Sequence, residues 1–113
     1  MNAYEIPGLR YSLPAGGAVE RHRFVSVNDK SAGVQATAST AVIGVSMNKT
    51  KEGEVLEIAD GIVMVTAAAA ITAGKGVVSD ANGKAVDADT KTPVGIAITG
   101  TTIADGLIAV KIK

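Results

Sequence analysis

Apolar side chains fall in short β-branched runs along this chain, and no long stretch keeps them at the three-and-four spacing of an amphipathic helix. The runs are Val25–Val27, Ala41–Met47, Glu54–Ala59, Ile62–Thr66, Gly76–Ser79, Val94–Thr99 and Leu107–Ile112. Each is bounded by Gly, Asp, Asn or Pro, as strands of a sandwich or barrel are. Asn28–Gly33 and Asp80–Lys84, rich in Asx and glycine, read as turns. Ala67–Ala70 favours helix, but Val65 and Thr66 precede it and Thr72, Gly74 and Gly76 follow, which leaves room for one turn. The pattern predicts an all-β fold.

Parts of the pattern occur twice. Ile58–Val65 (IADGIVMV) reads again as Ile103–Val110 (IADGLIAV). Val42-Ile43-Gly44-Val45-Ser46 matches Pro93-Val94-Gly95-Ile96-Ala97, and Leu13–Val19 matches Ile71–Val77 in the same order. Two degenerate repeats, about 13–65 and 71–110, are expected to close into one β-unit, since two copies are too few for a solenoid. Asp60-Gly61 and Asp105-Gly106 each stand between β-branched runs, a strong short-range hairpin signal. Both pairs are therefore expected as hairpin turns, with Ile58 facing Val63 and Ile103 facing Ile108.

Length and composition narrow the picture. The 113 residues suffice for one domain. Only four leucines occur, and aromatics make up 3%, so the core is built from Val, Ile and Ala. Such a core buries little area per residue, which makes self-association a reasonable expectation. Eleven basic and eleven acidic side chains give a formal charge of +0, without the basic excess of a nucleic-acid binder. The absence of cysteine excludes disulfides and thiolate metal sites. Glu5, Pro7 and Arg10 interrupt any leader pattern. The longest apolar run, from Ile62 to Ile71, falls short of the roughly 20 residues that span a bilayer. A soluble protein without membrane contact is expected.

Candidate chemistry dissolves on inspection. Asp60 and Asp105 could be imagined as paired acid–base carboxylates, but the glycine after each favours a backbone role. His22, the only histidine, lies in Glu20-Arg21-His22-Arg23 with no second histidine or cysteine to complete a metal site and no Gly-x-Ser-x-Gly to serve. Gly74-Lys75-Gly76 lacks the upstream glycine of a phosphate loop, where Ala69 stands, and the Ser or Thr after lysine. Asp80, Asn82 and Gly83 suggest a calcium loop, yet the glycine falls early and no glutamate closes it. No catalytic residue, metal or cofactor is expected.

The first 24 residues differ in kind, because all three aromatics (Tyr4, Tyr11, Phe24) and all three arginines (Arg10, Arg21, Arg23) fall there. Both residue types are enriched where proteins dock. With Pro7, Gly8 and Pro14, the start of the chain is expected to form an extended N-terminal arm, residues 1–12, ahead of a single β domain, residues 13–113.

Ala73-Gly74-Lys75-Gly76-Val77-Val78, Pro93-Val94-Gly95-Ile96-Ala97 and Ala104-Asp105-Gly106-Leu107-Ile108-Ala109-Val110 together resemble the short capsid cement (decoration) proteins of tailed bacteriophages. The resemblance runs from Leu13 onward. It implies a small β-barrel or β-clip-like domain on the outer surface of the assembled phage head, made in the host cytoplasm. The partners it implies are the major capsid protein and the chain itself, as a homotrimer. It further implies that binding stabilises the capsid lattice. The arm lies outside the shared pattern; Tyr4, Ile6, Leu9, Arg10 and Tyr11 are the expected capsid contacts. A small ligand- or glycan-binding β-module is the rival expectation, weakened by the lack of any aromatic after Phe24. An enzyme is not expected, for want of a converging His, Cys or Ser constellation.

Overall fold

The computed structural model describes residues 6–38 and 41–112. Among them are nine strands and no helix: β1 (Ile6–Pro14), β2 (Phe24–Val27), β3 (Gly33–Gln35), β4 (Gly44–Ser46), β5 (Val55–Thr66), β6 (Gly76–Ser79), β7 (Ala85–Asp87), β8 (Gly95–Ala97) and β9 (Leu107–Ile112). All belong to one antiparallel sheet, ordered β3-β2-β4-β5-β9-β8-β6-β7 with β1 also on β5, and curled into a half-barrel. The expected all-β architecture is present. Two turns owe their shape to an Asx side chain. Asn28 Oδ1 accepts from the amides of Lys30 and Ala32, and Asp80 Oδ1 from those of Asn82 and Lys84.

The longest strand organises the molecule. On β5, Leu56 and Ile58 point into a small core with Ala15, Val19 and Val25, closed over by Tyr11, Leu13 and Ile43. Ala59, Val63 and Val65 point the opposite way, into a larger core with Phe24, Val45, Val77, Ile108 and Val110. Successive strand residues face opposite sides, so the buried side of β5 switches between Ile58 and Ala59. β2 does the same, with Phe24 in one core and Val25 in the other.

The two expected Asp-Gly hairpins are not what the chain forms. Asp60 and Gly61 lie inside β5, which runs unbroken from Val55 to Thr66, and Val63 pairs with Val110 rather than Ile58. Gly61 takes a positive φ of 95° where β1 makes a bulge between Pro7 and Arg10. The signal there marked a strand irregularity, for which Gly is equally suited. Asp105-Gly106 does turn the chain, with Asp105 at φ 63°, but Ile108 pairs with Val65, not Ile103.

Pairings recur along the chain. β2–β3, β2–β4 and β4–β5 have counterparts in β6–β7, β6–β8 and β8–β9. The bridges Ala15–Gly33 and Val19–Thr50 have counterparts in Ala67–Ala85 and Ile71–Thr101. This places Val19 opposite Ile71 in the scheme, whereas the sequence match aligned Leu13 with Ile71. Of the three aligned pieces, only Val42–Ser46 with Pro93–Ala97 agrees with the pairings.

That piece has a steric reason. A Cβ on Gly44 would lie 2.7 Å from the Ala59 carbonyl oxygen, and one on Gly95 2.7 Å from that of Lys111. Both are backbone contacts, which cannot swing aside. Gly44→Ala and Gly95→Ala should each destabilise by about 1–3 kcal/mol. Thermal melts should show both midpoints falling by several degrees, while Gly17→Ala, with open space around it, shows little change.

Candidate docking surface

From Ile6 onward the expected arm is a strand of the sheet, and the boundary placed at residues 12 and 13 falls inside β1. Arg10, Tyr11, Ser12, Leu13 and Pro14 pair in register with Ala59, Ile58, Glu57, Leu56 and Val55. The cross-strand partners explain the facing. Tyr11 and Leu13 stand beside the fully buried Ile58 and Leu56, and so turn inward over the small core. The Tyr11 hydroxyl donates to the Ile43 carbonyl at 3.1 Å. Burial, then the nearby Asp60 carboxylate, hold its pKa above that of a free tyrosine. Arg10 and Ser12 face outward with Glu57, and the Ser12 hydroxyl reaches Glu57 Oε1 at 3.3 Å.

The five expected contact residues therefore part company. Leu9 is 59% exposed, Arg10 is exposed, and Tyr11 is half-buried in the protein's own packing. Ile6 lies opposite Ile62 in β1, and Tyr4 lies outside the described residues. Leu9 is held at the bulge by its amide, which donates to Asp60 Oδ1 at 2.8 Å. Asp60 thus fixes the backbone of β1, a local role that its chain neighbours could not have revealed.

Asp105, expected to match Asp60, has different work. Lys84 Nζ approaches its Oδ1 at 2.6 Å, tying the β6–β7 turn to the turn before β9. The Lys84 hydrogen bond and charge, with a smaller contribution from Arg23, hold the Asp105 carboxyl below the usual carboxylate range. His22 takes a positive φ of 62°, its amide donating to the Ser46 carbonyl at 3.0 Å. Gly74 takes φ 89° in the corresponding turn before β6, a structural use of the Gly74-Lys75-Gly76 segment. Among the described residues no three His, Cys, Asp or Glu side chains converge as metal ligands.

One surface was not anticipated. Segments 70–73 and 98–103 line an open groove of about 850 Å³ without a charged side chain, rimmed by the 64%-exposed Ile103. The corresponding loops around the Val19–Thr50 bridge carry Glu20, Arg21, Lys49 and Lys51, with Lys49 and Glu20 paired at 3.7 Å. A signal existed in the sequence: residues 62–74 and 92–104 are both free of charge. Elsewhere Val55, Ile96 and Leu107 are exposed apolar side chains on strands.

A family model described as phage cement protein matches residues 5–112. No curated protein matches the sequence. Among solved structures, the chain is similar to the head fiber gp8.5 N base of bacteriophage phi29, with a TM-score of 0.74 at 19% identity over 93% of each chain. At that identity the likeness concerns the fold.

Two outcomes test the local geometry. Asp60→Ala should release the Leu9 amide, seen as faster hydrogen exchange there with little loss of global stability. Asp105, its folded-state pKa depressed, adds stability above the ordinary carboxylate pKa that is lost as pH falls through the folded value. In Lys84→Met its carboxyl should titrate at higher pH by NMR, and that acid-range dependence of the melting temperature should shrink.

Proposed function

The chain belongs to the phage cement protein family, and on that premise we propose that it binds the outer surface of the assembled phage head and stabilises the capsid lattice. It is a capsid-associated structural protein of a phage. The observation that supports the finer reading is a family match extending over residues 5–112, β1 included. The partner in this reading is the major capsid protein, with three copies of the chain meeting as a homotrimer.

The mechanism is linkage. A protein that binds the expanded shell, and binds isolated capsid subunits less well, raises the free energy of disassembly by its binding free energy. Copies arrayed over a shell act together, so a modest affinity at each site suffices. A β-built body with a Val, Ile and Ala core suits the part of a rigid clamp. Tyr4, Ile6, Leu9, Arg10 and Tyr11 remain the proposed contacts, and the outward-turned Leu9 and Arg10 are the ones to change first. Removing residues 2–12 would be a poor test, because Tyr11 covers the core formed by Leu56 and Ile58.

The experiment adds purified protein to expanded heads that lack it and follows co-sedimentation and the temperature of shell disruption. Saturable binding with a raised disruption temperature is expected. Leu9→Ser and Arg10→Glu should each weaken binding about tenfold, with the free protein's melting temperature unchanged. Heads that gain neither mass nor stability would overturn the reading.

A further inference from the structure

β1 has one partner strand among the described residues, and its second edge is open. Which main-chain groups line that edge follows from the ladder. The Ala15 amide donates to the Glu54 carbonyl at 2.8 Å, so in the alternation of an antiparallel pair Leu13 and Tyr11 also turn their main chain toward β5. The other side of β5 agrees, since the Glu57 carbonyl accepts from the Met47 amide at 2.8 Å, away from β1. Arg10 and Ser12 therefore aim their N–H and C=O groups outward, where no strand among the described residues meets them. Pro7 and Pro14, which carry no N–H, bracket this stretch.

We propose that this edge, Gly8–Leu13, is completed on the virion by an extended segment of the major capsid protein that adds to the sheet as a further strand. The inference rests on the capsid-binding reading and specifies its mode. The outward N–H and C=O groups of Arg10 and Ser12 supply affinity that any extended backbone can satisfy. Selectivity comes from the exposed Arg10, the one charged residue of β1, which favours an acidic side chain on the incoming strand.

A second copy of this chain fits less well. Antiparallel self-pairing can join the outward groups in three registers. One sets Arg10 directly opposite Arg10. A second sets Arg10 opposite Ser12, leaving the two arginines as diagonal neighbours on one face, about 7–8 Å apart. The third sets Ser12 opposite Ser12 and Arg10 opposite Pro14, which can accept from the Arg10 amide but has no donor to return, so each end of the ladder lacks a bond. Charge on an open edge is a known guard against such self-pairing.

The test uses full-length protein and expanded heads assembled from the major capsid protein. Ser12→Pro deletes an outward N–H and leaves the β1–β5 ladder intact, whereas Ser12→Ala keeps that N–H. Ser12→Pro should lose head binding about tenfold or more, and Ser12→Ala should bind as the parent does. A melting temperature near the parent's confirms that the proline variant folds. By hydrogen exchange, peptides covering Leu9–Leu13 should gain protection on heads. Binding that survives Ser12→Pro, with no new protection there, would overturn the strand-addition mode while leaving capsid binding in place. Absence of binding by the parent protein would overturn both. A free protein that sediments as a dimer, already protected at Arg10 and Ser12, would make the second copy the occupant and sink the proposal.

Discussion

Because the buried side of β5 changes from its even-numbered to its odd-numbered residues between Ile58 and Ala59, the strand must be covered on opposite faces at its two ends. Much of the architecture answers that demand. β1 lies along residues 55–62, and Tyr11 and Leu13 close the first face. β9 lies along residues 62–66 and brings Ile108 and Val110 to the second. The curl of the sheet lets β2 serve both cores with adjacent residues. A core poor in large side chains is tolerable when two small cores share their walls, since each wall then excludes water twice.

The gross fold was legible in the sequence because β-branched runs punctuated by turn residues leave few alternatives. β6 and β9 lie where the pattern put them. What misled was context beyond the local window. Asp-Gly between apolar runs has the same backbone preference in a hairpin as at a bulge, and only the partner strand decides. β3 and β7, three residues each, are too short to show an alternation. β1 looked like an arm because Pro7, Gly8 and Pro14 interrupt it. On an edge strand those residues cost little, since an outward N–H has no partner to lose.

The surface was legible in part. Concentration of Arg and aromatic residues near the start of the chain drew attention to β1, but residue type could not say which way each side chain turns. The register with β5 says it: Tyr11 stands beside Ile58 and packs inward, while Arg10 stands in the row of Glu57. The uncharged groove at segments 70–73 and 98–103 escaped notice because its two parts lie far apart in sequence. The bridge Ile71–Thr101 brings them together.

Ile62 pairs with Ile6 on one side and with Lys111 on the other, so the first and last strands grip the central one at a shared residue. Tension entering through β1 and leaving through β9 would run along the strands and strain many ladder bonds at once instead of unzipping them in turn. Resistance of the protein to pulling is then set by the rate of forced opening as much as by equilibrium stability.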